Sequence, residues 1–209
     1  MNLKKSIEEF IEEVSSSAPT PGGGSVSAFC AALGVSLALM VCNLTIGKKK
    51  YQEHEQEILD IKQKLELAKN KFFELYDLDS EAFNKVMDAV KLPKETEEEK
   101  IKRTEAIEAA TIEASEVPIQ VISSINEIID IVARLNDIGN QNSLSDTGVA
   151  LQLLKTSSEG AMLNVMINTK SLNDKDRARN LVLTAAEKLE AIELKTNSTL
   201  ELIKRKLEL

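Results

Sequence analysis

Tryptophan is absent from this 209-residue sequence, and aromatic residues make up only 3% of it. Aliphatic and small side chains must therefore fill any core. Histidine occurs once, at His54, which excludes a histidine-rich metal site and any site built on two histidines. Cysteine occurs twice, at Cys30 and Cys42. If both lie on one helix they stand about 18 Å apart, at roughly 1.5 Å per residue, too far to bond to each other. Two unpaired thiols fit a reducing compartment, so the expected location is cytoplasmic. Basic residues are outnumbered, and the formal net charge of −8 argues against nucleic-acid binding, which needs a basic footprint. The start, Met1-Asn2-Leu3-Lys4-Lys5, leads into acidic residues without the apolar core of a signal peptide.

What is present points to helices. Hydrophobic residues make up 43%, which excludes disorder by composition. Ala, Leu, Ile, Glu and Lys dominate, the residues that form helices most readily. The length suits one domain over 1–209 that buries its own core. No internal repeat or long linker divides it.

Periodicity predicts an all-α bundle of about seven or eight helices around a long central apolar one. The first helix runs from Asn2 to Ser15, with Leu3, Ile7, Phe10, Ile11 and Val14 on one stripe. The second starts near Ser25 as N-cap and ends near Ile46-Gly47. It belongs to a stretch, Val14 to Gly47, without a charged residue. That stretch suits either a buried helix or a membrane span, and Ser27, Ser36, Asn43 and Thr45 within it favour burial. Gly24, Ala28, Ala32 and Ser36 repeat at four-residue steps and would let another backbone come close.

The third helix runs from Gln52 to Tyr76, and a short fourth begins at Asp79 or Ser80 and ends before Leu92-Pro93-Lys94. Thr96 and Glu99 form a capping box for a fifth, to about Ser115. Pro118 either opens a sixth helix or kinks a longer one. After the polar loop from Gly139 to Asp146 a seventh helix reaches Lys170. Asn173 caps the last, from Asp174 to about Leu207.

Four features suggest chemistry. Pro19-Thr20-Pro21-Gly22-Gly23-Gly24-Ser25 leads into a helix N-terminus, where free N–H groups favour an anion. It is either a ligand-binding turn or a tight interhelical turn, and it lacks the pattern of a nucleotide phosphate loop. Lys48-Lys49-Lys50-Tyr51 lies at the other end of the same helix and suits either a helix C-terminus or a polyanionic ligand. Asp79 either pairs with Glu81 for proton transfer or caps a helix, and Asp146 is similar, a proton carrier or the N3 partner of Ser143 in a capping box. Asn164 and Asn168 share one helix face among apolar residues, so their amides need partners if buried.

These segments resemble the cyclodeaminase part of formiminotransferase-cyclodeaminase and the related stand-alone methenyltetrahydrofolate cyclohydrolases. The resemblance rests on Ala18 to Val26, Met40-Val41, Gly47 to Tyr51, Asp79 to Phe83, Leu92-Pro93-Lys94, Glu98-Glu99-Lys100, Val117-Pro118, Gly139-Asn140, Ser145-Asp146 and Asn164 to Asn168, in the family's order. It implies an all-helical homodimer without the formiminotransferase part, acting on a reduced folate with or without a polyglutamate tail, with no metal or other cofactor and no membrane. Either 5-formimidoyl-tetrahydrofolate is cyclised with release of ammonia, or the methenyl and 10-formyl compounds are interconverted. In the roles expected from it, Asp146 is the main acid/base and Asp79 the second. Asn140, Asn164 and Asn168 hold the pterin or one-carbon unit. Gly22, Gly23, Gly24 and Ser25 hold a carboxylate or shape the wall, and Lys48, Lys49 and Lys50 attract the glutamate tail. A second class of reading is a non-catalytic folate-binding or scaffold dimer. The central helix is about 33 Å long at roughly 1.5 Å per residue, so its two ends meet one small ligand only across an antiparallel dimer.

Overall fold

The computed structural model describes residues 6–208, which form six α-helices and two short 3-10 turns, with no strand among them. The helices are α1 (Ile7–Ser15), α2 (Gly23–Thr45), α3 (Glu55–Val90), α4 (Glu97–Ile138), α5 (Leu144–Lys170) and α6 (Lys175–Leu207). The 3-10 turns Lys49–His54 and Gln141–Ser143 link α2 to α3 and α4 to α5. The expected start of the first helix, Asn2 and Leu3 included, lies outside the described residues.

Six helices replace the expected seven or eight because two breaks do not occur. Asp79 and Ser80 open no new helix: α3 runs through them for 36 residues, with Leu75, Tyr76 and Ala82 buried on a continuous face. Pro118 lies inside α4, a single helix of 42 residues. The capping box of Thr96 and Glu99 opens α4 as expected. At the last helix the cap is Asp174, which accepts from the Arg177 N–H, while Asn173 binds the Glu108 carboxylate instead. Ser143 precedes α5 but makes no side-chain cap, so no capping box joins it to Asp146.

Consecutive long helices run antiparallel, as polar contacts between them show. Ser25 meets Asp79 at one end of the α2–α3 pair, and the Gly47 N–H meets Glu55 at the other. Arg134 of α4 pairs with Glu57 near the start of α3, and Lys85 near its end pairs with Glu113. Ser157 of α5 donates to the Ser27 carbonyl of α2. Helix α6 lies along α4 in the same direction, from Arg177–Glu116 to Lys206–Asp137.

Helix α2 occupies the centre, and thirteen of its 23 residues are buried. It is long and apolar enough to cross a membrane, but its buried faces lie against protein. Small residues let its neighbours come close. A Cβ at Gly34 would stand 3.0 Å from the Ala150 carbonyl and 3.2 Å from Leu153 and Leu154. Around this helix the core is aliphatic, with Leu65, Ile122, Ile125, Leu151 and Ile192 fully buried and Phe72 the one large aromatic among the fully buried side chains. Helix α1 docks by Phe10, whose ring lies 4.8 Å from that of Phe29, and leaves Ile7 and Ile11 exposed.

The α2–α5 contact gives a stability test. Gly34→Val should cost about 1–3 kcal/mol through overpacking. Urea unfolding should show a lower midpoint at unchanged slope; an unmoved midpoint would mean that the two helices separate freely.

Candidate active site at the N-terminus of the central helix

The triple-glycine turn carries the chain into α2, whose N-cap is Gly22 and whose first residue is Gly23. Ser25 is thus not the cap but a residue of the first turn, fully buried. Its hydroxyl donates to Asp79 Oδ2 at 2.8 Å and lies 3.2 Å from Ser80 Oγ. The Ser25 N–H also donates to the Asp79 carboxylate. Asp79 therefore sits on the free N–H end of α2, where the helix dipole favours a negative charge. The anion expected from a ligand at this turn is supplied by the chain itself.

Gly24 makes this possible. A Cβ there would stand 2.0 Å from Asp79 Oδ1, so no other residue lets α3 bring its carboxylate onto the helix end. Gly23 faces Asn164 of α5 less tightly: a Cβ there would stand 3.4 Å from Asn164 Nδ2, an ordinary contact.

These groups share a cleft of about 350 Å³. Gly22, Gly23, Gly24, Asp79, Asn164 and Asn168 line it, together with Pro19 and Thr20 of the turn. Phe83 and Val86 of α3, Thr111 and Ala114 of α4, and Ile167 and Ser171 of the α5 end supply the remaining wall. Sequence reasoning did not single out these wall residues for the site. The signal for two of them was present, because Phe83 and Val86 follow Asp79 by four and seven residues and so share its helix face. Thr111 and Ala114 carry no such signal.

The two asparagines are oriented by fixed acceptors. Asn164 Nδ2 donates to the Gly160 carbonyl at 2.9 Å, and Asn168 Nδ2 donates to the Ala114 carbonyl at 3.0 Å. A carbonyl only accepts, so each amide must turn its nitrogen that way and keep its oxygen for another donor.

The other expected residues lie at the far end of α2. Gly47 adopts a left-handed φ of 75° as the chain leaves the helix, and Lys48, Lys49 and Lys50 follow, all exposed. The Lys50 ammonium lies 5.4 Å from the centre of the Tyr51 ring. Asn140 is buried and engaged within the chain. Its Nδ2 donates to the Leu44 carbonyl, and its Oδ1 accepts from Asn142 N and Tyr51 OH. Its amide thus ties α2 to the 3-10 turn before α5. Asp146 stands half-buried in the first turn of α5. Within one chain the structure brings together Asp79, Asn164, Asn168 and the glycine turn, but neither Asp146, Asn140 nor the lysines.

Burial pushes the Asp79 carboxyl above its ordinary value, while the Ser25 hydroxyl and N–H pull the other way. A carboxyl raised in this manner exchanges protons closer to neutral pH than an exposed one does. Burial also pushes the Cys42 thiol up to about 11, which makes it a poor nucleophile.

The sequence pattern of the formiminotransferase-cyclodeaminase family matches residues 6–187, and the chain belongs to that family. Among its relatives is the methenyltetrahydrofolate cyclohydrolase of Methylorubrum extorquens, 42% identical over 171 residues that cover 82% of each chain. Another is the formimidoyltransferase-cyclodeaminase of Rattus norvegicus, 34% identical over 86% of this chain. This chain spans about a third of the length of that protein, the aligned part being 34% of it. The crystal structure of formiminotetrahydrofolate cyclodeaminase from Thermotoga maritima superposes with a TM-score of 0.81, at 33% identity, over 98% of this chain and 96% of that one.

The raised Asp79 carboxyl predicts a pH dependence of folding. Its folded pKa lies above its unfolded one, so ionising it opposes folding. The cost is absent well below 3.8, grows as the pH rises through the folded value, and is constant above it. Relative to the wild type, Asp79→Asn should therefore gain stability from acid toward neutral pH. Urea titrations at a series of pH values would show this; a difference independent of pH would contradict it.

Proposed function

We propose that this chain is a folate one-carbon enzyme that closes 5-formimidoyl-tetrahydrofolate to the 5,10-methenyl compound and releases ammonia. The observation that carries the reading is the Asp79 carboxylate, half-buried in a cleft that also holds the oriented amides of Asn164 and Asn168. In this reaction N10 attacks the amidinium carbon attached to N5. A new N10–C bond forms and N10 loses its proton. The bond from that carbon to the amine then breaks as the amine gains a proton and departs as ammonia. The proton lost from N10 equals the one the ammonia gains, so a single carboxyl group tuned toward neutral pH serves as base and then as acid. The ionised carboxylate also stabilises the cationic methenyl carbon. No step calls for a metal or redox cofactor.

The identity to the cyclohydrolase of Methylorubrum extorquens, 42% against 33% and 34% for the two cyclodeaminases, favours a second reading. There Asp79 takes a proton from the water that attacks the methenyl carbon; the bond from that carbon to N5 then breaks as the new hydroxyl loses its proton and N5 gains one, and 10-formyl-tetrahydrofolate is the product. One assay of the purified chain with both substrates, following methenyl absorbance and ammonia, separates the two. Hydrolysis without ammonia release selects the cyclohydrolase. Tight folate binding without either turnover leaves a non-catalytic folate-binding dimer.

The active unit in this proposal is a homodimer, in the cytoplasm, acting away from membranes and nucleic acid. Its support is the outer face of α2, where Leu33, Met40 and Leu44 are exposed and Val26, Phe29 and Leu37 half-buried at helical spacing. Antiparallel pairing of two copies through this stripe would set Lys48, Lys49, Lys50 and Asp146 of one copy at the cleft of the other. The lysines would then hold the glutamate tail of a folate, polyglutamylated or not, and Asp146 would be the second acid/base group.

Two measurements test this arrangement. Asp79→Asn and Asp146→Asn should each lower turnover by at least about a hundredfold, as loss of a general acid/base does. Mixed after unfolding and refolding together, the two inactive chains should recover about a quarter of wild-type activity, since half of the random dimers regain one intact site. No recovery would place both carboxylates in one chain's site and sink the shared arrangement.

A further inference from the structure

Pro118 stands in the middle of α4 and is buried. Proline has no N–H, so the carbonyl four residues back, that of Ala114, loses its helical donor. Ala114 lines the cleft beside Asp79. A buried carbonyl left without a donor is costly, and here the donor comes from another helix: Asn168 Nδ2 of α5, at 3.0 Å. An unbroken α4 would have satisfied Ala114 by itself and left the Asn168 amide free to turn.

We propose that Pro118 is a positioning residue, whose missing N–H frees the Ala114 carbonyl to lock Asn168 with its amide oxygen toward the cleft. The lock fixes what the site accepts at this point. With nitrogen held by Ala114, Asn168 presents an acceptor, as Asn164 does with its nitrogen held by the Gly160 carbonyl. Two acceptors four residues apart on α5 match a ligand edge that offers N–H donors, which a reduced pterin does through its ring N–H and amino groups. This use of the lock rests on the folate reading of the cleft; the lock itself does not.

The test is a double-mutant cycle. Pro118→Ala restores the N–H and with it the local helical bond, so the variant retains the means to fold, and the Ala114 carbonyl no longer needs Asn168. Asn168→Ala removes the amide. Asn168→Asp keeps its shape but offers no donor to Ala114. Binding of 5-formyltetrahydrofolate, a stable reduced folate, serves as the probe. Each single variant should weaken it by about tenfold, the worth of one hydrogen bond to a buried group. Pro118→Ala combined with Asn168→Ala should be no weaker than Asn168→Ala alone. In turnover the loss from Pro118→Ala should fall on KM rather than kcat, since Asp79 is untouched. Independently of any ligand, the side-chain amide protons of Asn168 should exchange slowly in the wild type and quickly in Pro118→Ala. Additive effects on binding would make Pro118 a mere bend in the helix and overturn the proposal, as would an Asn168 amide unchanged by Pro118→Ala. If the wild type fails to bind the folate, the functional reading falls, and the amide exchange alone then decides whether the lock exists.

Discussion

Close approach to a single apolar helix is the constraint from which the rest follows. Helix α2 has no charged side chain along its whole length, so its stability comes from what packs against it. With few aromatics in the chain, the neighbours must come near, and glycine, alanine and serine at the contacts allow it. The same closeness builds the cleft. At Gly24 the missing Cβ admits the carboxylate of α3, and beside it Gly23 faces the amide of α5. Packing and chemistry are thus solved by the same residues at the N-terminus of α2.

The helices and the central position of α2 were legible in the sequence because both depend on local pattern. An uncharged run of this length reads as buried, and the Thr96–Glu99 box reads as a helix start. The errors occurred where distant residues decide. Asp79 and Ser80 are good capping residues, but their side chains meet Ser25 of another helix, so no helix begins there. Pro118 left open a new helix or a longer one, and the longer one holds: the Ala114 carbonyl takes its donor from α5 and α4 continues. Neither partner is visible from spacing along the chain.

The site was legible in part for the same reason. Asn164 and Asn168 stand out as amides on an apolar face, and the glycine turn stands out by composition. Asn140, alike by residue type, lies toward the other end of α2, where its amide meets Leu44, Asn142 and Tyr51. Of the two aspartates, Asp79 lines the cleft half-buried, whereas Asp146 stands in the first turn of α5 toward the other end of α2.

The carboxylate of Asp79 on the end of α2 also gives the cleft a polarity. A bare helix N-terminus draws anions, but here its charge is already answered from within, so the floor of the cleft repels a second carboxylate and welcomes a positive centre. A long molecule with a cationic head and an anionic tail is thereby sorted end for end. Its head enters toward α2 and its tail stays outside, before any individual contact has been made.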